Sequence, residues 1–397
     1  MNRSNDASPS SWWPTALAGF CATLIGLGLG RFSYVALLPL LIDAQWTSTA
    51  GAAQLAAANL IGYMIGALGG HRLALKTGAA CTIRGALVTV LLSMLSCSVN
   101  LGLEWLWFWR LAAGIAGGML MILAVPYAAS RVPVAVRGKA IGVVFAGIGG
   151  GIILSGFVVP LLGAEHPGAA WLALSACVAL ALAFAWPRFS APETPAAPAP
   201  RGRLMPRGAL LALLLAYALD AIGYLPHTVF WVEYLVHGLH RPVSTGGIFW
   251  ALFGAGAVIG PLLSGYAADR FGFRNTLIAC FAVKALAVGL PLVSTSTFAL
   301  FVSSLVVGAL TPGLVAVVSG RVIEIVGPAA HQPNWAMLTF VYAGMQALAG
   351  YAMATLYAAT HSFDTLFAIG AGVLGVAAVI LSLGGEKRKE RGAGLAR

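Results

Sequence analysis

Charge is scarce in this chain. Lysine and arginine number 23 and aspartate and glutamate 12, so charged residues make up 9% of the 397 positions, where soluble domains carry roughly a quarter. So thin a charged complement cannot cover a water-facing surface, which excludes a soluble globular protein. The five cysteines (Cys21, Cys81, Cys97, Cys177, Cys280) lie in apolar runs without metal-ligand spacing. Neither a disulfide framework nor a zinc site is therefore expected. No GxSxG occurs, no Walker-type Lys-Ser/Thr follows a glycine-rich loop, and no paired carboxylates lie in an apolar run. A hydrolase, a transferase or a nucleotide-binding enzyme would need such groups. No enzymatic activity and no cofactor are expected.

What the chain does have is apolar length. Hydrophobic residues make up 59% and glycine contributes 49 positions, the latter suited to helices that approach closely in lipid. A membrane-spanning helix needs about 20 mostly apolar residues. That criterion yields twelve spans, at 14–41, 51–70, 79–98, 105–129, 139–162, 170–187, 208–235, 245–267, 275–296, 299–319, 335–359 and 364–384. The turn between the ninth and tenth, Ser294 to Thr297, is the shortest. The first run exceeds a signal-peptide core and lacks a clear cleavage site, so it is expected to remain as a helix.

The formal charge of +11 does not point to nucleic acid, because the basic residues cluster between apolar runs. With both termini cytoplasmic, one side holds Arg3, Arg72, Lys76, Arg131, Arg137, Lys139, Arg188, Arg201, Arg203, Arg207, Arg270, Arg274, Arg321 and the tail cations from Lys387 to Arg397, whereas the other side holds Arg241. This asymmetry gives the orientation and requires an even number of spans. The basic tail is suited to contact with anionic lipid.

Residues 187–207, PRFSAPETPAAPAPRGRLMPR, contain six prolines and cannot continue a helix. They divide the chain into six-span bundles at 1–186 and 208–397. The halves also share sequence: GYMIGALGGHRLALKTG, Gly62 to Gly78, aligns without a gap on GAVIGPLLSGYAADRFG, Gly256 to Gly272. Gly62, Gly66 and Gly78 fall on Gly256, Gly260 and Gly272, and Lys76 falls on Arg270. At the same offset Gly114 falls on Gly308. Weak internal repeats of this kind mark duplicated transporters.

The loop GYAADRFGFR, Gly265 to Arg274, resembles the loop signature of the major facilitator superfamily between its eighth and ninth helices. In the first half Leu75 stands where the second half has Asp269, with Lys76 and Gly78 retained. LGLGRFSYVALLPLL (Leu27 to Leu41) and AANLIGYMIGALGG (Ala57 to Gly70) resemble the YbfB/YjiJ branch, a bacterial group. The resemblance implies an all-α integral membrane protein with twelve helices in two pseudo-symmetric bundles. It also implies a gating loop built from Lys76, Gly78, Gly265, Asp269, Arg270, Gly272 and Arg274.

Charge inside the spans is the next signal, because a central Arg or Asp costs about 2.5–3.5 kcal/mol on insertion scales. Asp220 is the one carboxylate deep in a span, and Arg31 is similarly deep in the first. The superfamily fold makes the first and seventh helices repeat-related and cavity-lining. Setting Tyr34 against Tyr224 brings Arg31 within one residue of Asp220, so the two are expected to face one another, as an ion pair that switches or as substrate anchor and proton site. Arg110, in FWRLAAGIAGG, resembles an interior-facing arginine of the superfamily; a snorkelling arginine is the alternative. Arg84 reads as snorkelling, and Lys284 falls on a helix that the fold places at the periphery.

Further candidates are Asn59 and Tyr63, one turn apart on the second span, Tyr127, Trp250, Tyr342 and Gln346. On the seventh span Tyr224, His227 and Trp231 follow Asp220 at spacings of four, three and four, and Pro226 should bend the helix there. The stretch FAGIGGGIILSGFVVP, Phe145 to Pro160, suits close packing but lacks the Gly-Pro pair of the antiporter motif.

The expected protein is a secondary permease of the bacterial inner membrane that moves a small organic solute by alternating access. An anion and proton coupling are favoured, because Arg31 and Arg110 outweigh one acid. The alternative is an exporter of drugs or metabolites. An integral membrane enzyme and a transporter-like sensor are remote, the sensor lacking an appended soluble domain. The expected partners are substrate, protons and membrane lipids, not nucleic acid, and the chain is expected to act as a monomer.

Overall fold

The computed structural model describes residues 12–133, 136–163, 166–189 and 207–383. Most of the proline-rich linker, the basic tail and Arg3 lie outside the described residues. Among the described residues, twelve helices are long and apolar enough to cross a membrane: α1 (Trp13–Asp43), α2 (Thr49–Thr77), α3 (Ala79–Ser96), α4 (Leu103–Ser130), α5 (Arg137–Gly163), α6 (Pro167–Phe189), α7 (Gly208–Val229), α8 (Val243–Phe271), α9 (Phe273–Val293), α10 (Thr297–Val326), α11 (Pro333–Thr360) and α12 (Phe363–Leu383). All twelve expected spans are present. The short turn between α9 and α10 is real, because the Ser296 side chain caps α10 by accepting from the Ala299 amide at 3.3 Å.

The helices alternate in direction. One face therefore carries the start of α1 and the end of α12, and is called here the terminal face; the opposite one is the far face. At the terminal face α2 and α8 end alike. Gly78 has φ +90° and Gly272 φ +81°, a left-handed conformation that glycine adopts at little cost. Each donates its amide to the carbonyl four residues back, Ala74 at 2.9 Å and Ala268 at 2.8 Å.

The sequence repeat reappears as repeated packing. A methyl group at Gly62 would run into Leu111 O, and one at Gly256 into Leu305 O. One at Gly66 would meet Ile115 O, and one at Gly260 would meet Ala309 O. The matched partners stand 194 residues apart, as the glycines do. So α2 crosses α4 as α8 crosses α10, backbone against backbone, with contact distance in place of side chains. Gly66→Ala and Gly260→Ala are each expected to destabilise the purified protein by about 1–3 kcal/mol through overpacking. Gly69→Ala, with open space at its Cβ position, should hold or raise the melting temperature, because alanine favours the helix. Thermal unfolding in detergent checks the three together.

Between the halves, α5 packs on α8 and α2 on α11. Gly149 lies against Gly254 and Val258, and Gly156 against Gly247 and Ala251. The first and seventh helices are the irregular ones. α1 is α-helical over Trp13–Thr23, π-helical over Leu24–Phe32, and α-helical again over Ser33–Asp43. α7 turns at Tyr224, before Pro226, and breaks again at Phe230. The chain continues through Trp231–Glu233 and a π turn, Tyr234–Gly238. Run length alone predicts one helix over 208–235 for the seventh span. Pro226 removes an amide donor and interrupts it.

Candidate functional site

The π-helical stretch of α1, LIGLGLGRF, ends with Arg31 and Phe32. A π turn is wider than an α turn and is often found at functional sites. Here Gly28 lies against Gly151 and Ile148 of α5, so the broad segment is wedged into the first bundle. Arg110 holds it from the other side. Its guanidinium is buried (2% exposed) and lies 4.4 Å from the Tyr34 ring centroid. Nη1 donates to Gly30 O at 2.7 Å. Arg110 therefore faces the interior, and it binds backbone.

Arg31 projects from this segment between the halves. Nη2 donates to the Tyr224 hydroxyl of α7 at 2.7 Å. Its guanidinium lies 5.2 Å from the Tyr63 ring centroid of α2, a cation–π distance. The Gln346 amide of α11 reaches both the Tyr224 hydroxyl and Arg31; with its oxygen turned toward them it accepts from both. Arg31 is only partly covered. Every group named around it is neutral, so a guanidinium stands at the centre of the bundle with hydrogen-bond acceptors but no carboxylate among these contacts.

Asp220 does not face Arg31. Its Oδ1 lies 2.7 Å from Lys284 Nζ of α9, and both side chains are 0% exposed. This corrects two expectations at once. The acid of the seventh helix pairs within its own bundle, and Lys284 is an interior residue despite its helix's peripheral place. The reason is reach and desolvation: a buried carboxylate needs a cation at contact distance, and the four-carbon stem of lysine spans the gap from α9. Tyr224 adjoins both charged groups. Lys284 Nζ lies 5.3 Å from its ring centroid, and its hydroxyl takes the bond from Arg31.

The expected stripe on α7 divides at the helix break. Tyr224 faces the other half, whereas His227 and Trp231 turn into the second bundle. His227 Nε2 lies 2.8 Å from Ser303 Oγ, and Trp231 Nε1 donates to Ser304 Oγ at 2.9 Å, both on α10. Tyr342 stays near the site, its ring tilted against Tyr217 at 4.4 Å and Tyr224 at 6.0 Å between centroids. Trp250 lies 6.4 Å from Phe32 across the halves. Asn59, which donates to Arg110 O at 3.0 Å, and Tyr34, which donates to Ala52 O at 2.8 Å, tie helices together. Tyr127 packs against Phe189 and Arg131 at the terminal face, away from Arg31. There too, Asp269 and Arg270 are exposed, and Arg274 Nη2 donates to the last carbonyls of α12, Leu381 and Ser382, at 2.9 Å each. Arg84 at this face donates to Trp186 O and stacks over the Trp186 ring at 4.7 Å.

The twelve membrane-length helices among the described residues, packed as two repeats around a polar centre, have the architecture of a transporter of the major facilitator superfamily. Solved structures share this fold. The D-xylose–proton symporter is 16% identical, with a TM-score of 0.74 over 92% of this chain and 96% of that one. A point mutant of the nucleoside transporter NupG is 14% identical, with a TM-score of 0.75 over 94% and 100%. The xylose transporter XylE from E. coli, in a partially occluded inward open conformation, is 16% identical, with a TM-score of 0.74 over 94% and 98%. No curated protein matches the sequence. The profile of the family described as "Uncharacterised MFS-type transporter YbfB" matches residues 23–382, and the chain belongs to that family.

Proposed function

We propose that this transporter moves a small organic anion across the bacterial inner membrane by alternating access, with both termini cytoplasmic and with proton coupling at Asp220. The observation that carries the reading is Arg31, a central guanidinium held by neutral groups while the buried acid nearby is occupied by Lys284. Three interior cations, Arg31, Arg110 and Lys284, stand against two buried acids, Asp220 and Glu233, so the interior keeps a positive excess and favours an anion. A carboxylate or phosphate would take the forked donors of Arg31 and could draw them from Tyr224. A proton on Asp220 would release Lys284, whose ammonium lies against the same tyrosine ring. Tyr224 is thus the physical link between cargo and proton.

In this orientation the exposed Asp269 and Arg270, with Lys76, Gly78, Gly265, Gly272 and Arg274, form the cytoplasmic gating loops. The partly aromatic surround of Tyr63, Tyr217 and Tyr342 suits a second reading, export of amphipathic metabolites or drugs. One experiment separates the two: thermal unfolding of the purified protein against organic anions, amino acids, sugars and lipophilic cations. A ligand at a hundred times its dissociation constant stabilises by about 2.7 kcal/mol. Stabilisation by anions is expected. Stabilisation confined to lipophilic cations would overturn the anion reading in favour of the exporter.

A further inference from the structure

At the far face, three charged side chains join the two halves. His237, in the segment between α7 and α8, sets Nε2 2.8 Å from Asp43 Oδ1 at the end of α1. Its other ring nitrogen, Nδ1, lies 3.0 Å from Glu233 Oε1 one turn back. Glu233 is buried (2% exposed). Asp43 and His237 are 194 residues apart, one from each half of the chain. They meet where the first and seventh helices converge.

We infer that Asp43, His237 and Glu233 form a proton-binding site that locks the far face of the transporter shut. This rests on the reading of the chain as an alternating-access carrier whose far face opens to the outside. Nε2 is hydrogen-bonded to Asp43 and Nδ1 stands at ion-pair distance from Glu233; an imidazole between two carboxylates carries a proton on both nitrogens only when charged. The neutral ring has one donor and leaves one carboxylate facing a lone pair. Protonation thus joins the halves through Asp43 and offsets the burial of Glu233 at the same time.

The surroundings leave this pairing undisturbed. On its own segment His237 faces Glu233, and from α1 it faces Asp43. Glu233 lies within electrostatic reach of the Tyr34 hydroxyl of α1 and the Tyr357 hydroxyl of α11. His361, just after α11, packs edge-on to Tyr357 at 6.1 Å, and Asp364 of α12 acts on Tyr234. Arg241, in the loop before α8, bonds through its amide to Leu235 O at 2.9 Å. Glu233 first, and Asp43 after it, push the His237 pKa up to about 9 against partial burial.

The sign follows from linkage. In the closed state the histidine is protonated below about pH 9. Opening removes Asp43, so the open state holds the proton less tightly. Between the two pKa values, closing takes up a proton from the outer side. Above the closed-state value the ring is neutral and the lock loses its charge. Acid outside therefore favours closure over a loaded site, the order that a proton-driven importer needs.

Spin labels at Ala44→Cys and Arg241→Cys, with the exposed Cys81 changed to Ser, would report the far-face distance in nanodiscs without substrate. The short-distance population should dominate at pH 6 and fall by at least half across about pH 8 to 10. H237Q and D43N should each lower that population at pH 6 and abolish the transition. H237R, charged throughout, should keep the face closed to pH 10. An unchanged curve in H237Q and D43N, or a wild type that is flat over this range, would overturn the site. The readout needs neither cargo nor Asp220, so an error in the anion reading would leave it intact.

Discussion

Replacing Arg31 with glutamine is expected to abolish anion recognition while leaving the fold intact. The side chain is partly covered and bonds to the Tyr224 hydroxyl, the Gln346 amide and the face of Tyr63. Losing it strands no buried carboxylate, and glutamine can still donate to Tyr224. Melting of the unliganded variant should therefore stay near that of the wild type. Losing a guanidinium–carboxylate contact from a desolvated site costs about 2–5 kcal/mol, which weakens binding at least about 30-fold. The anion-induced melting shift should vanish, as should transport in proteoliposomes. R31K tests geometry separately from charge: a lysine keeps the cation but loses the planar fork, and intermediate affinity is expected. Anion shifts of full size in R31Q would place the cargo elsewhere.

The second large effect concerns Asp220 and Lys284. Asp220→Asn leaves an unpaired buried ammonium, and Lys284→Met leaves an unpaired buried carboxylate. Each should destabilise by about 3–5 kcal/mol, whereas removing both partners is often close to neutral. The double variant D220N/K284M should therefore recover most of the lost melting temperature. Its transport should not recover, because no titrating carboxylate remains in the second bundle's centre. Stability and turnover thus separate in the double variant if Asp220 carries the coupling proton. A double variant that is both stable and as active as wild type, with an unaltered pH profile, would reduce the pair to a structural role.

The architecture is legible in the sequence because lipid imposes a strong code. With no water to bind backbone groups, each crossing must be a long apolar helix, so composition and run length carry the fold. The gapless match of Gly62–Gly78 on Gly256–Gly272 is also physical, since the matched glycines touch matched backbone atoms. The site is legible only by residue. Arg31, Tyr63, Tyr224, Tyr342 and Gln346 do converge, and their depth in the spans is enough to nominate them.

Pairing is not legible, because it depends on how far helices rotate and bend. The turn at Tyr224 and the break at Phe230 separate residues that ideal helical spacing puts on one face, sending His227 and Trp231 toward α10. Lys284 reads as peripheral because its helix is, although a long side chain on an outer helix can still point inward. Asp43, Glu233 and His237 read as residues near a span end, where charge is ordinary. The signal in the sequence that points to them is the four-residue Glu–His spacing.

The π-helical stretch of α1 carries a consequence of its own. A π segment can be regarded as an α-helix that has accepted extra residues without changing the chain on either side. Each extra residue turns everything beyond it by about 100°. Leu24–Phe32 therefore sets the angular phase between the two ends of α1, fixing where Arg31 and, twelve positions on, Asp43 point. Shortening it by a single glycine would rewind the helix toward α geometry and swing Asp43 away from His237. The widened segment thus sets the phase of the centre and of the far gate together, and a one-residue deletion there should turn both Arg31 and Asp43 away from their partners while every helix remains in place.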